Sequence, residues 1–429
     1  MKNKIKILLL IVTLGFLASG CDLNVSNPNS PTNEDLKTYD GMRMTAIGMQ
    51  RRLSQSIGDF NTVSGAVSGE TSPIIAYIGY QALRKYPDAT KRSLLDKSNE
   101  YMVTVWSVQF QIVKSANDIL NNIGSISMDQ KLKNNMVAFA EVGKVMAFYN
   151  LITHWEKIPI DINKDHPSFV NRAAVVTECL GLLNDAEAKV SAGLATEFTN
   201  KVIGKSWDLP NTIQAYKARF LLMKGDYTNA IAAASNVTTE SAYVYDQSNG
   251  TNPLWVNYVS SKFSAALGSW VEGAEKGDTR VAATVDLTTK KSDYFGKDTA
   301  YIITKYNTAT VPYKIYTLNE MSLIKAEAYA RSGNSGNALT EVNKVRTAAG
   351  LQGYSGNNIL KEIFVQRYYE CYLMAQHFED LRRFKSDNID IVNYQRSAQL
   401  AHEWLIYPYT EIDVNPNCPP QPLNINLGM

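Results

Sequence analysis

Histidine and cysteine are scarce in this chain, with four of each among 429 residues. The sequence contains no His-Glu-x-x-His spacing and no cysteine pair with the spacing of a metal site. It also lacks Gly-x-Ser-x-Gly and a glycine-rich phosphate loop, so it predicts no metal, no cofactor and no catalytic motif. Cys179 and Cys371 lie in apolar helical patterns and are interpreted as buried thiols.

An excess of charge of one sign is absent as well. The chain has 43 basic and 41 acidic residues, a net charge of +2, which becomes 2 − 3 = −1 without Lys2, Lys4 and Lys6. Nucleic acid is therefore not expected as a partner, because binding of its phosphates needs a basic surface. Beyond residue 20, no apolar run is long enough to span a membrane.

The N-terminus has the pattern of an export signal. Three lysines precede an apolar run at residues 5–17, which is too short for a membrane span. Leu17-Ala18-Ser19-Gly20-Cys21 resembles a lipobox, so residues 1–20 are predicted to be a lipoprotein signal peptide and Cys21 the site of lipid attachment. Residues 21–33, rich in proline, asparagine and aspartate, are predicted to form an extended arm.

One helical pattern occurs twice, displaced by 326 − 218 = 108 positions. Apolar residues recur at three- and four-residue spacing, and in each copy a glycine separates two such stripes. The small residues that match are Ala218, Gly225 and Ala230 in the first copy and Ala326, Gly333 and Ala338 in the second. Chance recurrence is the alternative, but agreement in both type and spacing favours tetratricopeptide-like helical hairpins. The predicted fold class is all-α, a scaffold of such hairpins with long irregular loops.

The apolar pattern predicts further helices around this repeat, at residues 34–57, 101–123, 131–154 and 173–192, with the first hairpin at 211–237. Residues 58–99, interrupted by glycine and proline, are predicted to be mainly loop. No linker divides the chain, so residues 34–429 are expected to form a single domain with a loop-rich insertion at about 240–316.

Aromatic residues are concentrated in the predicted loops. A long irregular segment in a helical scaffold often carries function, and flat rings among polar side chains can stack on the apolar faces of sugars. The alternative is that each ring only anchors its loop to the core. The predicted ligand-binding residues are Tyr77, Tyr80, Trp255, Tyr258, Trp270 and Tyr294.

Several short motifs carry a resemblance to a known family, and their order along the chain matters more than any one of them. They lie at residues 23–31, 154–159, 277–280 and 406–416, and in Arg367, Glu370 and Asp380-Leu381-Arg382-Arg383-Phe384. Together they resemble the SusD/RagB-type outer-membrane nutrient-binding lipoproteins of the Bacteroidetes. The chain departs from that pattern at Gln366, at Met374-Ala375 and at His377, where the family shows Glu, Glu-Gly and Arg.

The resemblance implies a protein anchored in the outer membrane at the cell surface through a lipid on Cys21. It implies binding of a nutrient, with a glycan as the favoured class, and delivery to a SusC-like TonB-dependent transporter that this protein covers as a lid. Binding without catalysis is the implied mechanism. Arg367 and Glu370, three residues apart on one helical face, are interpreted with the 380–384 motif as a structural clamp between helices.

Two other classes of function are kept as alternatives. A secreted glycoside hydrolase would need converging carboxylates, for which Glu272, Glu275 and Asp278 are the close cluster in the aromatic region. A helical-repeat adaptor that binds a protein is the other. The sequence leaves open which glycan or peptide is bound, which way Cys21 faces and the stoichiometry with the transporter.

Overall fold

The computed structural model describes residues 34–83, 97–204, 207–246, 250–296, 298–387, 389 and 403–422. The predicted signal peptide, Cys21 and the extended arm lie outside these ranges. The longer helices of the described part are α1 (Tyr39–Ser68), α2 (Glu100–Asn122), α3 (Gln130–Ile152), α4 (Arg172–Val190), α5 (Leu209–Lys224), α6 (Tyr227–Asn236), α7 (Leu318–Arg331), α8 (Ser335–Ala348), α9 (Ile359–Glu370) and α10 (His377–Arg383). The fold is predominantly helical, as predicted, and α2 to α6 begin and end within two residues of their predicted bounds.

The two predicted hairpins are present as α5 with α6 and α7 with α8, which confirms the repeat. Gly225 and Gly333, the equivalent turn glycines, both have φ of +78°, a left-handed conformation that glycine adopts without steric cost. The next residue, Asp226 or Asn334, accepts a hydrogen bond from the backbone N–H three residues on and so caps the second helix. The repeat therefore includes the capping residues as well as the small residues of the interface.

The longest helix, α1, differs from the sequence prediction, which ended it at residue 57. It continues to Ser68 and stops at Gly69, whose φ is +80°. The sequence pattern predicts that Gly58 begins a loop, but a Cβ at this position would lie 2.6 Å from the Cβ of Pro253. The glycine is therefore explained by close packing against a neighbouring segment rather than by a turn.

The segment 240–316 is also more regular than predicted. A four-stranded antiparallel sheet, in the order β1-β5-β7-β6, combines β1 (Thr71–Pro73) with β5 (Ser264–Leu267), β7 (Thr299–Ile303) and β6 (Val285–Ser292). Two antiparallel pairs join β2 (Lys157–Pro159) to β3 (Phe169–Asn171) and β4 (Ser241–Tyr243) to β8 (Tyr313–Tyr316). Most of these strands are too short to give a clear alternating pattern, which is why the sequence did not reveal them.

Short helical segments connect these elements. They are Asp35–Lys37, Ile78–Gln81, Ile123–Ser125, Thr196–Phe198, Gly268–Glu272, Thr279–Thr284 and Tyr409–Ile412, with π-helical turns at Thr199–Ile203 and Trp255–Ser260. In the ranges given above, no helix has the length and apolar character needed to cross a membrane. The domain boundaries stay a prediction.

The C-terminal segment 403–422 is fastened to the helices by aromatic packing. Trp106 of α2 lies edge-on to Trp155, with ring centroids 5.1 Å apart, and contacts Tyr407 at 5.9 Å. The indole N–H of Trp155 donates to the carbonyl of Ile406 at 2.9 Å. These residues belong to one continuous cluster of buried side chains, which also contains Cys179. Both cysteines predicted to be buried thiols, Cys179 and Cys371, are buried and free.

Candidate functional site

Two exposed tyrosines and two partly buried phenylalanines lie beside β1, the edge strand of the four-stranded sheet. We call Tyr77, Phe263, Tyr294 and Phe295 the aromatic shelf. Tyr77 and Tyr294 are 43% and 45% exposed, unusually open for such large side chains, and neighbouring Ile75 is 42% exposed. An exposed cluster of apolar surface of this kind is typical of a binding site.

Backbone hydrogen bonds bring the parts of the shelf together. The N–H of Ile74 donates to the carbonyl of Phe263 at 3.1 Å, and the N–H of Tyr294 donates to the carbonyl of Pro73 at 2.8 Å. Two segments distant in sequence therefore meet the last residue of β1 and the residue that follows it. The rings of Tyr77 and Phe263 are stacked, with centroids 6.3 Å apart, and those of Tyr294 and Phe295 meet edge to face at 5.3 Å.

Two carboxylates lie beside Tyr77. A hydrogen bond from its hydroxyl to Glu100 raises the pKa of Tyr77, and burial raises the pKa of Asp59, with a further contribution from the charge of Glu100. The Glu100 carboxylate fits closely against Gly79, where a Cβ would lie 2.4 Å from its Oε1. A flat ring bordered by hydrogen-bond acceptors suits a ligand with an apolar face and peripheral hydroxyl groups.

The structure corrects the prediction for three of the six ligand-binding residues. Tyr80, Tyr258 and Trp270 have no exposed surface. The Tyr80 hydroxyl is hydrogen-bonded to Thr71 and Ser264, and the Trp270 ring stacks on Tyr372 with centroids 4.0 Å apart. These rings anchor the loops to the core, the alternative that the sequence had left open, and offer no face to a ligand in this structure.

The other three predicted residues stay candidates. Tyr77 and Tyr294 belong to the shelf, whereas Trp255 is partly buried and packs against the core cluster. Phe263 and Phe295 were not selected from the sequence. The signal that could have identified them is their position next to exposed tyrosines at the ends of short strands, but those strands were themselves not predicted.

The predicted clamp around residues 367–384 is present as a buried network of charged side chains. Arg367 donates to Asp380 at 2.9 Å, Asp380 accepts from Arg383 at 2.6 Å, and Arg383 donates to Glu327 of α7 at 2.8 Å. Arg367 does not pair with Glu370, because Glu370 instead accepts from Thr317 and Asn319. The network joins α7, α9 and α10, so its role is to hold helices together.

Two histidines beside this network are buried and neutral. Burial, reinforced by the charge of Arg382 for His154 and of Arg367 for His377, lowers the pKa of each imidazole to about 3. Their surroundings are aromatic: His377 lies 4.3 Å from the ring of Tyr368, and His154 lies 4.5 Å from that of Phe60. In the part of the chain that the structure describes, no group of side chains has the arrangement of a metal site.

The carboxylates considered for a hydrolase each have a basic partner. Asp278 pairs with Arg280 at 2.7 Å and Glu275 with Arg346 at 2.8 Å. Glu272 lies 3.3 Å from Lys290 and also accepts from Tyr301 at 3.1 Å. Since each of these carboxylates is already held by a cation, the geometry does not favour this cluster as a catalytic pair.

Comparison with known proteins gives a family match over part of the chain and a fold. The model of the SusD family matches residues 232–417. A SusD superfamily protein from Bacteroides thetaiotaomicron has a TM-score of 0.69 at 17% identity, covering 90% of this chain and 100% of that one. The NanU protein of B. fragilis has a TM-score of 0.69 at 14% identity, covering 94% of this chain and 100% of its own. A protein of Bacteroides vulgatus described as a putative sugar binding protein has a TM-score of 0.68 at 16% identity, with coverages of 91% and 99%. No curated protein matches.

Proposed function

We propose that this chain, whose residues 232–417 match the model of the SusD family, binds a glycan at the aromatic shelf and passes it to a TonB-dependent outer-membrane transporter. The aromatic shelf is the observation that supports glycan binding. The exposed rings of Tyr77 and Tyr294 can stack on the apolar faces of sugar rings. Asp59 and Glu100 can accept hydrogen bonds from the hydroxyl groups of the sugar. Neither step requires covalent chemistry, so the proposed activity is binding and transfer rather than catalysis.

Shelf tyrosines should dominate the affinity. We expect Tyr77→Ala and Tyr294→Ala each to weaken glycan binding about tenfold, since losing one stacked ring costs on the order of 1.4 kcal/mol. Affinity electrophoresis or calorimetry against a panel of soluble polysaccharides measures this. Tyr227→Ala is the matched control, because Tyr227 lies on α6 in a helical hairpin and only partly contacts the core.

Each outcome of that panel decides between functions. Saturable binding lost in both shelf variants and kept in the control supports the proposal. Binding unchanged in the shelf variants places the glycan site elsewhere, and partly buried Trp255 is then the next residue to replace. Release of shorter sugars from any polysaccharide would support the hydrolase, whereas protein binding without glycan binding would support the adaptor.

The proposed location rests on the N-terminal sequence, which has the order of a lipoprotein signal ending at Cys21. Each buried methylene of an acyl chain contributes about 0.8 kcal/mol, so several chains on one cysteine would hold the protein at the membrane. We expect Cys21→Ser to abolish incorporation of a labelled fatty acid and to move the protein from the membrane fraction to the soluble fraction. Retention of both label and membrane association in this variant would contradict the assignment.

A further inference from the structure

A groove of about 590 Å³ lies between α3 and α4, outside the aromatic shelf. Ile160, Ala174 and Leu182 contribute an apolar lining, and Glu141, Glu178 and Asp185 contribute carboxyl groups. The groove is open to solvent on one side. Its volume falls in the range of ligand sites and exceeds that of a single amino-acid side chain.

Glu141 is the unusual residue of this groove, because it is only 4% exposed and no basic side chain among the described residues lies within salt-bridge distance of it. Its Oε2 accepts no hydrogen bond, although it lies on the groove wall. Burial, together with a smaller contribution from its hydrogen bond with Asp185, raises the pKa of Glu141 to about 9. The same hydrogen bond lowers the pKa of Asp185, which makes Glu141 the donor of the shared proton and Asp185 its acceptor.

The surrounding charges are balanced only while that proton is present. Lys189 pairs with Asp185 at 2.8 Å, and Lys144 lies 4.0 Å from Glu178. Asp185, Lys189 and Lys144 are the charged groups that act on Glu141. Two ammonium groups thus compensate two carboxylates, and ionisation of Glu141 would leave one negative charge without a partner.

We propose that this groove binds an extended polypeptide segment through one lysine or arginine side chain, whose cationic group replaces the proton between Glu141 and Asp185. The apolar lining suits the aliphatic stem of such a side chain, and the carboxyl pair suits its charged end. A single side chain leaves much of the volume empty, and the open side lets the main chain of a segment occupy the remainder. On binding, the proton of Glu141 leaves to solvent and the charge balance is kept. This proposal does not depend on the glycan function.

Calorimetry with two short peptides tests the proposal. The probe is an acetylated and amidated alanine peptide with one central lysine, and its control carries norleucine, which has a similar stem without the ammonium group. We expect the lysine peptide to bind at least about tenfold more tightly. Its affinity should rise from about pH 6 to pH 9, with release of about one proton, seen as a dependence of the heat on the buffer's ionisation enthalpy.

Glutamine variants of Glu141 and Glu187 separate a role in peptide binding from a structural role. Glu141→Gln fills the same volume and can still donate to Asp185, so the thermal midpoint should not fall, yet it cannot ionise and should lose peptide affinity at least about tenfold. Glu187→Gln, on α4 with Asp185 but paired with Lys217 at 2.6 Å, should bind as the parent does.

The contrary outcomes are equally specific. Absence of binding by either peptide, equal binding of the two peptides, undiminished binding in Glu141→Gln, or absence of proton release would each overturn the proposal. So would butylamine binding as tightly as the peptide, because a free amine would then satisfy the site without a polypeptide segment.

Discussion

Replacing Glu327 by alanine is expected to lower the free energy of unfolding by about 3–5 kcal/mol, the cost of leaving buried cations without their partner. Glu327 has no exposed surface and accepts from both Arg331 and Arg383, each at 2.8 Å. Burial alone would raise the pKa of this carboxyl, but the charges of Arg383 and its neighbours outweigh that effect and lower it. The carboxylate is therefore ionised in the folded protein, and its removal leaves two guanidinium groups short of negative charge.

Chemical denaturation of the variant, followed by circular dichroism, measures the loss. The matched control is Asp118→Ala, which removes an exposed ion pair with Lys114 at the same spacing of four residues as Glu327 and Arg331. That change should cost only about 0.3–0.5 kcal/mol, because water already compensates both charges. Equal losses in the two variants would show that the buried network contributes no more than a surface pair.

Position 327 also shows what the internal repeat could and could not reveal. The equivalent residue of the first hairpin is Arg219, which pairs with Glu320 at 2.7 Å. Spacing of small residues predicted both hairpins, because helix contact and turn geometry impose local rules on the sequence. It did not predict that Arg219 and Glu327 form buried ion pairs between helices, since their partners Glu320 and Arg383 lie in other helices distant along the chain.

The residues that depart from the family pattern have local explanations in the structure. Gln366 accepts from Arg280 at 2.8 Å and donates to Glu362 at 2.9 Å, so an amide serves both partners. Ala375 has a φ of +56°, a left-handed conformation that suits the glycine the family shows and costs an alanine roughly 1 kcal/mol. His377 replaces a cation with a neutral ring packed on Tyr368. Each departure was visible in the sequence, but its consequence required the neighbouring helix.

Prediction of the candidate site was limited because the sequence does not show which aromatic side chains are exposed. Composition identified the aromatic loops, but an exposed and a buried tyrosine look the same in a sequence without strong periodicity. Tyr77 and Tyr80 are three residues apart, and one is 43% exposed while the other is completely buried. The difference arises because Tyr80 reaches Ser264 on a strand nearly two hundred residues away, a contact that local pattern cannot predict.

Stability should depend strongly on pH, with a maximum in mildly acidic solution. His154 and His377 have pKa values lowered to about 3, so the unfolded chain takes up protons on both as the pH falls below about 6.5 while the folded chain does not. Glu379, which burial alone would destabilise as a carboxylate, has its pKa lowered to about 2 by Arg172, Arg382 and Arg383. It adds a further loss of stability as the pH falls from about 4.5 to about 2.

Glu70 and Glu141 act in the opposite direction. Burial raises their pKa values to about 8 and about 9, so the unfolded chain releases these protons first as the pH rises above about 4.5. Stability is then lost progressively until the pH passes the folded values, at up to about 1.4 kcal/mol per pH unit for each group. Thermal unfolding between about pH 3 and pH 9 should show an acid limb and an alkaline limb in the plot of stability against pH, each a loss of several kcal/mol.

Glu70→Gln identifies the alkaline limb. Glu70 has no exposed surface, and its Oε1 accepts no hydrogen bond, so a neutral amide of the same shape should be tolerated. Glutamine at position 70 cannot ionise. The variant should therefore lose less stability above about pH 6 than the parent, by the amount that ionisation of the Glu70 carboxyl group contributes. The acid limb should be unchanged, because His154, His377 and Glu379 are untouched. An unaltered loss of stability at alkaline pH in Glu70→Gln would mean that Glu70 is already ionised at neutral pH. Lys305, the cation that lowers the pKa of Glu70, would then outweigh the effect of burial on this carboxyl group.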